Sequence, residues 1–170
     1  MKQIKHSLTA LALVLSSFTA FSQNQELLEE LPSTKEEFIA SEKKVLATID
    51  WIENTPINQE VEKRKQQNAL LIGWITNSPT VTLELNADIL DFTKKNSDLL
   101  IVFMAGWTRY SLQNNYSKDN VLGSTAGLKS AIKVYKTGLL KKDKEMQKLV
   151  DLDEKGELEE SVRKKLSKNK

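Results

Sequence analysis

Apolar residues recur at helical spacing in the first part of this chain. They are separated by seven, four and three residues and therefore share one helix face: Phe38, Val45, Ile49 and Ile52. Ser33 or Thr34 can cap the start of this helix, and Thr55-Pro56 ends it near Asn54. The pattern predicts a first helix between these limits.

The next segments predict a second helix and then an extended stretch. Residues 58–76 are charged in their first half and apolar in their second, which indicates a helix that enters the core at its C-terminal end. Val81, Leu83 and Leu85 then alternate with polar residues, which is typical of a strand. Because no second segment is suited to pair with it, we expect an extended connector packed by its apolar face. Residues 87–95 predict a short helix.

Residues 99–107 are nearly all apolar, although nine residues are far too few to span a bilayer. They predict a central buried helix that continues to Leu112. Asp119 or Asn120 can cap the following helix, whose expected inward face is formed by Leu128, Ala131, Ile132, Tyr135 and Leu139. The last 30 residues are highly charged with a thin apolar stripe, typical of a peripheral helical hairpin or a fraying end. We therefore expect an all-α single domain of five to six helices around one central apolar helix, with one short extended connector.

The N-terminus has the pattern of a secretory signal peptide. Lys2 and Lys5 precede a mostly apolar stretch over residues 8–21, and Ala20 and Ser22 place small residues where a signal peptidase reads the chain. The expected cleavage leaves Gln23 as the first residue, and no cysteine follows for lipid attachment. This predicts a periplasmic or secreted protein without a membrane span.

The expected organisation has four parts: a signal peptide (1–22), a polar tether (23–33), a helical core domain (34–140) and a charged helical C-terminal segment (141–170). Removing 22 of the 170 residues leaves 148, which suits one domain. The chain has 25 Lys and Arg against 23 Asp and Glu, so losing Lys2 and Lys5 leaves 23 of each. This balance argues against a broad surface for binding nucleic acid or an anionic membrane.

Composition also excludes several kinds of catalysis. There is no cysteine, and the single histidine, His6, lies in the expected leader, so a serine–histidine triad, a cysteine nucleophile and an ordinary zinc site are all excluded from the processed chain. Ser130 and Lys133 match the S-x-x-K of penicillin-recognising enzymes. However, the pattern recurs by chance in this lysine-rich chain. The sequence favours a non-enzymatic protein that needs no cofactor.

A calcium site is the one metal site that the sequence suggests. Asp151, Asp153 and Gly156 match the first half of an EF-hand loop, but Lys155 and Val162 occupy positions where ligand oxygens are needed. The favoured interpretation is a helix that ends on Gly156 as its C-terminal cap. Calcium binding by Asp151 and Asp153 is the alternative.

Two Gly-Trp pairs, at residues 73–74 and 106–107, lie 33 residues apart, about the period of a tetratricopeptide repeat. A third copy is missing. The favoured interpretation is therefore that each glycine allows close approach of a neighbouring helix while the indole fills the gap. The alternative is an aromatic-lined ligand pocket formed by Trp74, Trp107, Arg109, Tyr110 and Tyr116.

The middle of the chain, residues 68–136, resembles a group of exported helical proteins of Bacteroidota that have no assigned activity. The resemblance is carried by residues 76–82 (Thr-Asn-Ser-Pro-Thr-Val-Thr), by Gly106-Trp107 and by residues 126–128, and the ending of the leader at residues 21–23 fits the same bacteria. It implies the compartment and the lineage, and no activity.

Two functional hypotheses follow from these observations. The first is an exported helical protein that acts by non-catalytic binding of a macromolecular partner, expected to be a protein rather than a nucleic acid. The second is a small apolar-ligand carrier that uses the aromatic pocket. Catalysis by serine, lysine or paired carboxylates is a third possibility that the sequence leaves open.

Overall fold

The computed structural model describes residues 26–168, and this part of the chain is all-helical without a strand. Its α-helices are α1 (Lys35–Ala40), α2 (Glu42–Asn54), α3 (Val61–Asn77), α4 (Leu99–Gln113), α5 (Asn120–Tyr135), α6 (Lys144–Glu154) and α7 (Leu158–Ser167), and a 3-10 helix spans Leu90–Lys94. The predicted fold class is confirmed. The expected leader falls on residues 1–22, outside the described residues.

The seven α-helices described exceed the five to six expected, because the predicted first helix is interrupted at Ser41. This residue keeps helical backbone angles, and its hydroxyl donates to the Phe38 carbonyl at 2.8 Å. The same hydroxyl accepts a hydrogen bond from the Trp74 indole at 2.8 Å. The interruption is therefore local, and α1 and α2 still present Phe38 and Val45 to a common core.

Helices α4 and α5 pack at close range because three glycines face side chains or backbone of the other helix. A Cβ atom on Gly127 would lie 2.6 Å from the Phe103 carbonyl oxygen. One on Gly123 would overlap the Trp107 indole, and one on Gly106 would overlap the Ser130 side chain. The expected close approach of a helix is thus confirmed at Gly106. At Gly73 that interpretation is wrong, because the neighbour is the side chain of Leu31 in the N-terminal segment.

Aromatic side chains fill the core on both sides of this helix pair. Phe103 and Trp107 meet edge to face with ring centroids 5.8 Å apart, and Phe92 lies 5.9 Å from Phe103. In the part of the core formed by α1 and α3, Phe38 and Trp74 have ring centroids 5.8 Å apart. Such offset and edge contacts stabilise a core beyond the burial of apolar area alone.

The segment 26–33, expected to be a polar tether, has no regular secondary structure but is attached to the core by Leu28. This side chain is 2% exposed. The Leu28 amide donates to Thr48 Oγ1 at 3.0 Å, and Gln67 Nε2 donates to the Leu28 carbonyl at 3.0 Å. The polar-tether prediction did not include this attachment of residues 26–33, which we call the N-terminal strap.

The connector between α3 and the 3-10 helix is irregular, and only part of its predicted apolar face is buried. Val81 is 3% exposed, whereas Leu85 is 47% exposed. A turn at Asn86, whose carbonyl accepts from the Ile89 amide, redirects the chain directly after Leu85. Leu139, predicted on the inward face of α5, is also 47% exposed, because α5 ends at Tyr135 and Gly138 takes a positive φ of 77°.

The charged C-terminal segment folds back as a helical hairpin. Met146 of α6 and Leu158 and Val162 of α7 are buried, and both helices pack on α5. The amide side chain of Asn96 bonds both the amide and the carbonyl of Lys141 at 3.0 Å, which joins the loop before α4 to the loop before α6. Residues 141–168 thus belong to the same domain as the central helices.

Replacing Gly127 with alanine tests the close helix contact. Because the new methyl group would meet a backbone carbonyl that cannot rotate away, we expect Gly127→Ala to lower the free energy of unfolding by about 2 kcal/mol. The measurement is urea unfolding followed by circular dichroism.

Gly73→Ala is the matched control, since its methyl group meets only a half-exposed side chain and alanine favours helix. It should leave stability unchanged or raise it by up to about 1 kcal/mol. Equal effects at the two sites would contradict the proposed packing role of Gly127.

Candidate functional site

The two tryptophans of the predicted ligand pocket lie inside the core. Trp74 is 0% exposed and Trp107 is 1% exposed. The Trp74 indole is bonded to Ser41, whereas the Trp107 indole nitrogen, packed on Gly123, has no hydrogen-bond partner among the described residues. Neither ring reaches the surface that a ligand would meet first.

Arg109 belongs to a network of charges that joins three helices. Its guanidinium contacts Glu53 Oε1 and Asp50 Oδ1 of α2, each at 2.7 Å. Lys133 of α5 reaches the other Glu53 oxygen at 3.3 Å and Asn54 Oδ1 at 2.8 Å. The Glu53 side chain is only 2% exposed, so this carboxylate needs its cationic partners. The geometry indicates a structural role for Arg109.

The two tyrosines lie near the turn between α4 and α5. The Tyr110 hydroxyl is 3.4 Å from Ser117 Oγ, and Tyr116 donates to Glu42 Oε2 at 3.3 Å. The negative charge of Glu42 raises the pKa of the Tyr116 phenol above its ordinary value. Tyr116 also has a positive φ of 57°, which sets the turn that follows α4. The structure therefore places the five predicted pocket residues in three separate surroundings.

The segment that resembles an EF-hand is the end of a helix. Asp151 and Asp153 both lie on α6, and Asp151 Oδ1 accepts from Gln147 at 2.9 Å. Gly156 has a φ of 73°, and the Glu157 amide bonds to the Leu152 carbonyl at 2.8 Å, as in a helix that ends on glycine. The predicted cap is confirmed. Within residues 26–168, no group of three acidic or imidazole side chains is arranged to hold a metal ion.

The serine and lysine of the S-x-x-K match have packing and ion-pair roles. Ser130 is 7% exposed against Gly106, and the Lys133 amine is bound to Glu53 and Asn54. A catalytic pair would need the amine to reach the serine hydroxyl. The geometry thus gives these two residues no joint chemistry.

The described surface carries a groove between the N-terminal strap and helices α1 and α2, which we call the strap groove. It has a volume of about 400 Å³, and its lining combines apolar and acidic side chains with one lysine. The lining residues are Leu28, Glu29, Glu30, Leu31, Pro32, Ser33, Glu37, Ala40, Ser41 and Lys44. Sequence reasoning missed this site, because residues 23–33 were expected to be a polar tether.

Hydrogen bonds attach the end of the N-terminal strap to α1 but leave the middle of the strap unbonded. Glu37 Oε2 accepts from the Ser33 amide at 2.7 Å and from the Thr34 amide at 3.2 Å, which ties the end of the strap to α1. In contrast, the backbone amides of residues 29–31 have no hydrogen-bond partner among residues 26–168. The strap therefore has unbonded backbone donors in a segment that also lines the groove with Leu31.

Glutamates dominate the charge of the strap groove. Glu29, Glu30 and Glu37 line it, and the single cation, Lys44, is held by Glu26 at 3.1 Å. This hydrogen bond raises the pKa of Lys44 above its ordinary value. The groove is therefore suited to a positively charged occupant.

Comparison with known proteins gives no relative from which a role could be taken: no family model, no curated protein and no solved structure matches this chain. Across residues 26–168, no helix combines the length and apolar character needed to cross a bilayer.

Removing the buried carboxylate tests the structural role of the Arg109 network. Glu53→Ala should lower the free energy of unfolding by about 3 kcal/mol, since it leaves two cations without their shared partner. Asp50→Ala, which removes a half-exposed carboxylate from the same arginine, should cost under about 1 kcal/mol. Denaturant unfolding measures both, and similar losses in the two variants would refute the central position of Glu53.

Calcium should leave the protein unchanged, because Asp151 and Asp153 project from a continuous helix. We expect no heat of binding by titration calorimetry in millimolar calcium, and no shift in melting temperature. A saturable heat that disappears in Asp151→Asn would show that the helix end opens to form a calcium site.

Proposed function

We propose that this chain is an exported, non-catalytic protein that binds an extended, basic segment of a partner protein in the strap groove. The observation that carries the proposal is the groove itself, which is lined by glutamates and by apolar side chains of the strap and α1. It is bordered by residues 29–31, whose backbone amides have no partner among residues 26–168. The proposed export depends on the leader pattern of residues 1–22.

The shape of the site supports a peptide ligand rather than a small molecule. The groove runs along residues 28–33 instead of closing into a cavity, and the unbonded amides of residues 29–31 belong to that same segment. An extended peptide can accept hydrogen bonds from such donors with its own carbonyls, while its apolar side chains contact those that line the groove. Leu31, 44% exposed, and Ala40 supply apolar surface for that contact.

The anchoring of the strap makes the site ready to bind. The Leu28 backbone is held on both sides by Thr48 and Gln67, and the Glu37 carboxylate holds Ser33. A partner would therefore meet a wall that is already ordered, and binding would not have to supply that ordering.

Charge sets the expected partner chemistry. With three glutamates lining the groove and its one lysine bonded to Glu26, lysine or arginine side chains would be favoured in the bound segment. Nucleic acid, with its phosphate charges, is disfavoured at this site for the same reason.

The small apolar-ligand carrier has less support. Trp74 and Trp107, the two rings that such a carrier would use, are buried against other parts of the core. Uptake of a ligand there would require the core to open. Binding of a protein segment in the strap groove requires no such change.

Site-specific photo-crosslinking tests the proposal. A photoreactive amino acid replaces Ala40 in the groove or, as the control, exposed Lys129 on α5, and cells exporting the protein are illuminated. We expect one discrete adduct from position 40 and none from position 129.

Adding Glu29→Lys and Glu30→Lys to the position-40 protein should reduce that adduct by at least about tenfold, since the groove would then repel a basic segment. The proposal is wrong if position 40 gives no adduct, or if the reversed charges leave the adduct unchanged.

A further inference from the structure

A cluster of lysines lies on two loops, remote in sequence, that the Asn96 side chain joins. Asn96 bonds the amide and the carbonyl of Lys141, so Lys95 and Lys141 are brought next to each other in the fold. Lys142 follows in the same loop, and Lys144 is the first residue of α6. We call Lys95, Lys141, Lys142 and Lys144 the lysine cluster.

All four members of the lysine cluster are exposed, and none forms an ion pair with another residue in the described part of the chain. Neighbouring lysines differ in this respect: Lys94 pairs with Asp91, and Lys148 pairs with Glu145, each at 2.8 Å. Two carboxylates, Asp98 and Asp143, lie in the same loops, which leaves a net charge of +2 over residues 95–98 and 141–144.

A bulky apolar side chain stands beside these charges. Leu139 is 47% exposed, two residues before Lys141, whereas its neighbour Leu140 packs on the core. Gly138, with a φ of 77°, makes the turn that separates Leu139 from α5. An exposed leucine can enter the lipid headgroup region of a bilayer. Lysines beside it, without ion pairs in the described part of the chain, can at the same time contact anionic lipids.

We propose that the lysine cluster and Leu139 form a second binding surface that attaches the protein peripherally to an anionic lipid bilayer. The strap groove and four other clefts, which lie beside α2, α3, α6 and α7, are lined by none of these residues. Recognition by the lysine cluster therefore does not use the shape of any of these five clefts. Binding to a fluid anionic bilayer requires only cationic side chains and an apolar side chain that can insert.

Vesicle sedimentation with the chain from Gln23 onward tests this proposal. That chain keeps every described residue and lacks the apolar stretch 8–21, which would bind lipid by itself; circular dichroism checks that each variant stays folded. The probes are vesicles of phosphatidylcholine alone and of phosphatidylcholine with an equal part of phosphatidylglycerol. We expect binding only to the anionic vesicles, and its loss at high salt.

Changing the four cluster lysines to glutamine should weaken binding at least about 100-fold, because each lysine near an anionic bilayer contributes about a fivefold gain in partitioning. The matched control changes four exposed lysines outside the cluster to glutamine: Lys35, Lys43, Lys118 and Lys129. These lysines also have no ion pair with any residue of the described range 26–168. Since this control has the same net charge as the cluster variant, it should lose far less binding.

Leu139→Ser should weaken binding about tenfold if the leucine enters the bilayer. The proposal is overturned if the wild-type chain ignores anionic vesicles, or if the control quadruple variant loses as much binding as the cluster variant. Equal binding of Leu139→Ser and wild type would also overturn it, and would favour an acidic protein as the partner of the lysine cluster.

Discussion

The contact between α4 and α5 is the constraint on which the rest of this structure depends. Gly106, Gly123 and Gly127 lack the side-chain atoms that would separate the two helices, so Phe103 and Trp107 fit directly against the α5 backbone. Within residues 26–168 the contact leaves the Trp107 indole nitrogen without a hydrogen-bond partner, and an unbonded buried donor typically costs about 1–3 kcal/mol. Burial of two large aromatic rings offsets that cost.

Other parts of the molecule are placed relative to this helix pair. Glu53 of α2 bonds Arg109 of α4 and Lys133 of α5 with one carboxylate, so a single buried charge sets the position of α2 against both. The C-terminal hairpin packs on α5 from another direction. Arg64 of α3 donates to the Ile52 carbonyl at 3.0 Å and to the Thr55 carbonyl, which attaches α3 to the end of α2.

Local patterns in the sequence predicted the helices well, and long-range contacts account for what was missed. The apolar run at residues 99–107 predicted α4, and Asp119 was recognised as a helix cap. Such features depend on neighbours within a few residues. The strap groove depends on Leu28 reaching Thr48 and Gln67, and the buried position of Glu53 depends on cations more than 50 residues away. No short-range pattern encodes either one, and an overall charge near zero likewise concealed the local lysine cluster.

The Asn96 side chain makes a pair of hydrogen bonds of the kind that two paired backbone segments make. Its amide group bonds Lys141 through one donor and one acceptor, as a neighbouring backbone would, and the residue is 4% exposed. Loss of ammonia from Asn96 would replace the donor with a second acceptor facing the Lys141 carbonyl. Hydrolysis of this one amide would therefore remove one of the two hydrogen bonds that connect the loops and place a negative charge beside a carbonyl oxygen.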